Sequence, residues 1–224
     1  MAALARRGWP AVASAVLTVE GTGKAAPSTP KPDAVVITSG NALRMARGDG
    51  ILSRWTDIPV WAVGEQTAGL GRQMGLKTVH SADGDGRALL RLCAANLDPA
   101  SEIIHVTGER LGEDLSAGLT ALGHSVIRWE NYRTATVSRW DMQTRWLIGR
   151  RRVGVALLLS PRSATAFATL MGKHDLWNAA AGMRLACISE PTANALLDSM
   201  GPKPLLTVCI AQEPTLSGTI DAIL

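Results

Sequence analysis

The stretch "VWAVGEQTAGLGRQMG", residues 60–75, is written a second time as "LACISEPTANALLDSMG", residues 185–201. Each copy opens on a short apolar run and passes through a Gly or Ser. Each then places Thr-Ala (Thr67–Ala68, Thr192–Ala193) at the start of a helical pattern and closes on Met-Gly. A short apolar run bounded by a turn residue reads as a buried strand, and the spacing that follows reads as a helix. The decisive unit is therefore strand, turn, helix, used twice.

The rest of the chain keeps the same rhythm. "DAVVITS" (Asp33–Ser39) is a strand that ends on hydroxyl residues, an N-cap signal for the helix "GNALRMARG". "KTVHSA" precedes the helix "GRALLRLCAANL", and "SEIIHVTG" (Ser101–Gly108) precedes "EDLSAGLTALG". "HSVIRWENYRT" closes this first set as a strand. From Val153 the series restarts with "VGVALLLS", "PRSATAFATLMG", "RLACIS", "PTANALLDSMG", "LLTVCIA" and "LSGTIDAIL". Strands alternating with helices predict parallel sheets covered on both faces.

Laid together, the two halves match at more than one place. "VVITSGNALRMA" pairs with "LLLSPRSATAFATLM", setting Ser39 against Ser160, and "TALGHSVIRWENY" pairs with "LARRGWPAVASAVL", setting Gly123 against Gly8. The pairing also shows a gap. The helix before Gly123 follows the strand "EIIHV", whereas the matching helix before Gly8 starts at residue 2 with no strand ahead of it. A doubly wound sheet has such a strand at its centre. The expectation is that the natural chain begins upstream of Met1, or that its N-terminal region is degenerate.

Composition bounds the class. The 224 residues are 46% hydrophobic, enough for one large or two small cores. No apolar run approaches the roughly 20 residues that span a bilayer, so no membrane partner is expected. The first 19 residues lack acids and contain "ARRGWPAVASAVL", a lookalike of a targeting segment that the repeat explains better as helix and strand. Cys93, Cys187 and Cys209 lie far apart inside apolar patterns, as reduced core thiols of a cytoplasmic protein do. A net charge of +4 suits an anionic ligand. Nucleic acid is not the expected partner, because the one basic cluster, "GRRR" at 149–152, reads as a solvated helix end.

Several chemistries have no handle. There is no GxxxxGK[ST] loop, no GxGxxG after a strand and no GxSxG elbow. "DGDGR" (83–87) lacks the later ligands of a calcium loop. His80, His105, His124 and His174 show no metal spacing, and His105 falls inside an apolar strand as a core residue. What recurs instead is small and hydroxyl residues where strand carboxyl ends meet helix starts, the usual ligand edge of an open α/β sheet. Helix N-termini there carry unpaired N–H donors and partial positive charge. The candidate binding residues are Thr38, Ser39, Gly40 and Asn41; Gly64, Gln66 and Thr67; Thr107 and Gly108; Ser160 and Ser163; and Ser189 and Thr192. Plain N-capping explains any single one of them equally well. Tyr132 in "ENYRT" is the only tyrosine and stands where one repeat ends and the next begins. Its phenol is a candidate proton donor to a leaving oxygen.

This ordered series resembles uroporphyrinogen-III synthase over nearly the whole chain. The resemblance rests on "DAVVITSGNAL", "VWAVGEQTAGLGRQMGL", "IIHVTGERLGEDLSAGLTALGHSVIRWENYRT", "LLLSPRSATAF", "CISEPTANALLDSMG" and "AQEPTLSGTIDAI". The family normally opens with a strand ending in "TRP", which has no counterpart here. Ser189 stands where glycine is usual, and Gly40 where Ala or Pro is common.

The resemblance implies two flavodoxin-like domains joined by two crossover segments. One domain, residues 22–131, is inserted into an outer one of residues 1–21 plus 132–224 that lacks its first strand. It implies a cyclising lyase of tetrapyrrole (haem) biosynthesis, a cytoplasmic monomer without cofactor or metal. Its substrate would be the polycarboxylate hydroxymethylbilane and its product uroporphyrinogen III. Two other readings are a periplasmic-type binding module and a non-catalytic relative that binds tetrapyrroles or another anionic ligand.

Overall fold

The computed structural model describes residues 2–29, 31–109, 113–201 and 206–223. In chain order the elements are α1 (Ala2–Ala5), β1 (Leu17–Gly21), β2 (Ala34–Ile37), α2 (Gly40–Gly48), a 3-10 turn (Ile51–Trp55), β3 (Val60–Ala62), α3 (Glu65–Gln73), β4 (Val79–Ser81) and α4 (Gly86–Asn96). They continue with β5 (Glu102–Gly108), α5 (Glu113–Ala121), β6 (Ser125–Thr136), α6 (Met142–Gly149), β7 (Val155–Leu158), α7 (Pro161–Lys173), β8 (Arg184–Cys187), α8 (Glu190–Met200), β9 (Thr207–Ile210) and α9 (Leu216–Asp221). They form two compact units, Met1–Thr18 with Thr136–Leu224, and Val19–Ala135.

The contiguous unit is built on a six-stranded sheet of order β1-β6-β5-β2-β3-β4, parallel from β6 to β4. Its alternation shows why "AVVI" reads as a continuous apolar run. Val35 and Ile37 pack with Ala42, Leu43 and Ala46 of α2 on one face. Ala34 and Val36 pack with Leu89 and Cys93 of α4 and Leu115 and Leu119 of α5 on the other. All four strand residues are fully buried, as a parallel strand between two helical layers requires. β1 is the antiparallel edge, since Thr22 N donates to Asn131 O (3.2 Å) and Val137 N donates to Val16 O (3.1 Å).

The discontinuous unit holds a three-stranded parallel sheet, β7-β8-β9. Leu158, Leu185 and Cys187 pack under α7 and α8, with Trp140, Phe167 and Trp177 at edge-on or steep ring angles. β8 is buried at Leu185, Ala186 and Cys187, but β7 is the edge of its sheet and only Leu158 on it is buried.

The backbone preserves the repeat. The Met-Gly endings both turn on a left-handed glycine, Gly75 at φ +95° and Gly201 at φ +60°, which a side chain would strain. The helices before Gly8 and Gly123 close with the same six-to-one bond, Trp9 N to Leu4 O (3.1 Å) and His124 N to Leu119 O (3.3 Å).

One expectation is corrected. The repeat predicts a strand directly after Gly8, but residues 9–16 form no strand and β1 begins only at Leu17, next to the Val137 N to Val16 O bond. In the contiguous unit β6 pairs with β5 from Ser125 to Tyr132. Among the described residues the smaller sheet has no counterpart of β5 for residues 9–15 to pair with.

Candidate functional site

Thr38 and Ser39 leave the carboxyl end of β2, and Ser39 Oγ accepts the N–H of Asn41 (3.1 Å) as the N-cap of α2. The first turn of α2 carries no acid, and Arg44 one turn on donates to Asn41 Oδ1 (3.1 Å). Gly40 sits close under Leu70; a Cβ there would meet Leu70 Cδ2 at 3.2 Å. Any side chain at this position would require Leu70 to give by a few tenths of an ångström. The result is a helix start with half-buried hydroxyls, its N–H groups unopposed by carboxylates, which is suited to an anion.

At the end of β3, Gly64 caps α3 with extended backbone and leaves Gln66 exposed, whereas Thr67 is only 8% exposed. Glu65 in this first turn is held by Arg72 Nη1 (2.5 Å). At the end of β5, Thr107 and Gly108 are both buried. Tyr132 lies beside them on β6, paired with Gly108, and its carbonyl accepts Glu109 N (2.7 Å). Its ring belongs to the core cluster with Leu43, Val106 and Trp129, and it is 5% exposed. Among the described residues nothing hydrogen-bonds its hydroxyl. Thr38–Asn41, Gly64–Gln66, Thr107–Gly108 and Tyr132 thus share the carboxyl end of one sheet.

The other candidates lie on the smaller sheet. Ser160 and Ser163 form a reciprocal capping box at α7, Ser163 N to Ser160 Oγ (3.1 Å) and Ser160 N to Ser163 Oγ (3.0 Å). Ser189 caps α8 and its hydroxyl meets Thr192 Oγ1 at 3.0 Å, with Thr192 fully buried. Thr67, Thr107 and Thr192 therefore turn inward, while Ser39, Asn41, Gly64, Gln66 and Ser189 keep some exposure. The two copies of the repeated stretch each place their threonine at the third helical position and bury it.

Other features resolve as scaffold. Asp85 of "DGDGR" caps α4 by accepting Ala88 N (2.9 Å). Arg150, Arg151 and Arg152 are exposed at the end of α6. The three cysteines are free thiols, and burial pushes Cys93 and Cys187 up to about 11, away from nucleophilic use. His105 is fully buried, with Nδ1 2.6 Å from Ser116 Oγ and Nε2 without a partner among the described residues; burial, then Arg128, lowers its pKa to about 4. Among the described residues no cluster of three metal-ligating side chains occurs, and no helix is long and apolar enough to cross a membrane.

Asn131 escaped the sequence reading. It is 3% exposed and its Nδ2 donates to the carbonyl of Ala42 in the first turn of α2 (2.8 Å). A signal for it exists: Trp129 and Tyr132 are three apart on one strand, which a period of two cannot place in the same core.

Comparison with known proteins completes the assignment. A family model described as uroporphyrinogen-III synthase HemD matches residues 1–221. The uroporphyrinogen-III synthetase of Helicobacter pylori 26695 is similar in structure, with 14% identity over 93% of this chain and 89% of that one and a TM-score of 0.62. A mutant uroporphyrinogen III synthase of the extreme thermophile Thermus thermophilus aligns over 99% of this chain and 91% of its own, with 17% identity and a TM-score of 0.48. No curated protein sequence matches. At 14% identity the likeness to the Helicobacter pylori protein speaks for the fold alone, and the family model speaks for descent. The chain belongs to the uroporphyrinogen-III synthase family.

Proposed function

We propose that this chain closes hydroxymethylbilane to uroporphyrinogen III as a cyclising lyase, inverting the last pyrrole ring and releasing water. Family membership over residues 1–221 is the observation that carries this reading. The substrate bears carboxylates along its length. The acid-free start of α2, with Ser39, Gly40 and Asn41, is the best-formed place for one of them. Gly64, Gln66 and Ser189 are further contacts, and Ser160 and Ser163 serve as caps first. The buried Thr67, Thr107 and Thr192 shape the turns from inside.

The chemistry asks little of the protein beyond placement. Departure of the terminal hydroxyl leaves a conjugated cation that already reacts with an electron-rich pyrrole. Attack by the substituted carbon of the last ring gives a spiro intermediate, whose rearrangement inverts that ring before closure. Holding the reacting carbons in register lowers the barrier by orientation. The Tyr132 hydroxyl is assigned to protonate the departing oxygen, consistent with its place beside the Thr107–Gly108 turn. We place the enzyme in the cytoplasm as a monomer of inserted and outer domains.

The test is the product isomer. Hydroxymethylbilane is added, the porphyrinogens are oxidised, and the type I and type III porphyrins are separated. Type III must dominate; a type I profile at high protein concentration rejects the reading in favour of a binding protein.

A further inference from the structure

The strand that carries Tyr132 is irregular. β5 and β6 pair Thr107 with Glu130 and then Gly108 with Tyr132, so Asn131 is an extra residue, a bulge. Strict alternation would put Trp129 and Asn131 on one face and Tyr132 on the other. The bulge returns Tyr132 to the Trp129 face, and both rings sit in the core cluster beneath α2. Asn131 is tied on two sides. Its carbonyl accepts Thr22 N (3.2 Å), and its side-chain amide reaches Ala42 O in the first turn of α2 (2.8 Å). Its Oδ1 is buried and has no partner among the described residues. A purely structural contact at this depth is better served by an apolar side chain, because a half-satisfied buried amide carries a desolvation cost.

We propose that Asn131 is a positioning residue for ring closure. Its bulge aims Tyr132, and its amide fixes the Thr38–Asn41 turn relative to that ring. The inference rests on the synthase reading and on substrate contact at this sheet end. It does not need Tyr132 to donate a proton.

The test compares wild type with Asn131→Leu, which keeps size and removes the donor, and Asn131→Ser, which keeps polarity and removes the reach to Ala42. The concentration of folded enzyme is set from circular dichroism. If the Leu variant does not fold, the Ser variant alone decides. The expected result is a kcat about tenfold lower per folded molecule, with KM moved less than about threefold. A share of type I porphyrin should also persist as enzyme concentration is raised, because misaligned bound substrate closes without inversion. A kcat within about twofold of wild type, or a loss confined to KM, overturns the proposal. Wild type that yields only type I porphyrin overturns the synthase reading itself, and this outcome is distinct from the other two.

Discussion

β2 and β7 are the same strand of one repeat, Ser39 answering Ser160 at their ends, yet they live in different surroundings. β2 has a strand on each side and a helical layer on each face, and every residue of it is buried. β7 has a neighbour on one side, and Val155, Ala156 and Leu157 are half-buried. The contiguous unit supports two core clusters, one per face, while one cluster is described in the other unit. A sequence pattern therefore specifies the unit, but the neighbours decide how firmly it is held.

The sharpest way to probe this difference is acid. His105 sits on β5, the strand for which the smaller sheet has no described counterpart, and its folded pKa of about 4 lies below the ordinary 6.5. Between those values the unfolded chain binds the extra proton. The penalty is absent above pH 6.5 and reaches roughly 3 kcal/mol by pH 4. Hydrogen exchange at β2 and β5 should show protection falling across this window, and His105→Gln should flatten the slope. An unchanged slope removes His105 from the account.

Next comes Tyr132→Phe, which keeps the ring in its core cluster and removes only the hydroxyl. Formation of the type III isomer should slow about a hundredfold, with the fold intact by circular dichroism. An unaltered rate excludes the phenol from the mechanism.

Smaller is the direct contrast of strands. Val36→Ala, at a fully buried position, should cost about 2 kcal/mol, and its repeat partner Leu157→Ala about 1 kcal/mol despite losing the larger side chain. Equal losses by denaturant titration would mean that the edge of β7 is better covered than its exposure shows. Smallest are the caps. Ser160→Ala, which breaks a reciprocal box, should cost about 1 kcal/mol and Ser39→Ala about half that.

The sequence was legible where local chemistry decides. α2 is read to the residue between its serine cap and closing glycine, and the Met-Gly endings mark two helix ends correctly. The sheet end that carries Thr38–Asn41 and Gly64 followed from strand–helix alternation, whereas Tyr132, expected at the junction between the repeats, is paired with Gly108 at that same end. Long-range register was not legible. The bulge at Asn131 depends on how β5 meets β6, and the burial of Thr67, Thr107 and Thr192 depends on what packs over each turn. Residues 9–16 have the apolar content of a strand but form none, which no local pattern reveals. The 3-10 turn at Ile51–Trp55 was missed for a similar reason, since its apolar residues are ordered by core contacts rather than by period.

The division of the chain also bears on the order of assembly. Every strand of the larger sheet has been synthesised once translation passes Thr136, before β7 exists, so that sheet can close on the nascent chain. The other unit must keep its first eighteen residues waiting for partners more than a hundred positions downstream, and its strands β7 to β9 are the last to leave the ribosome.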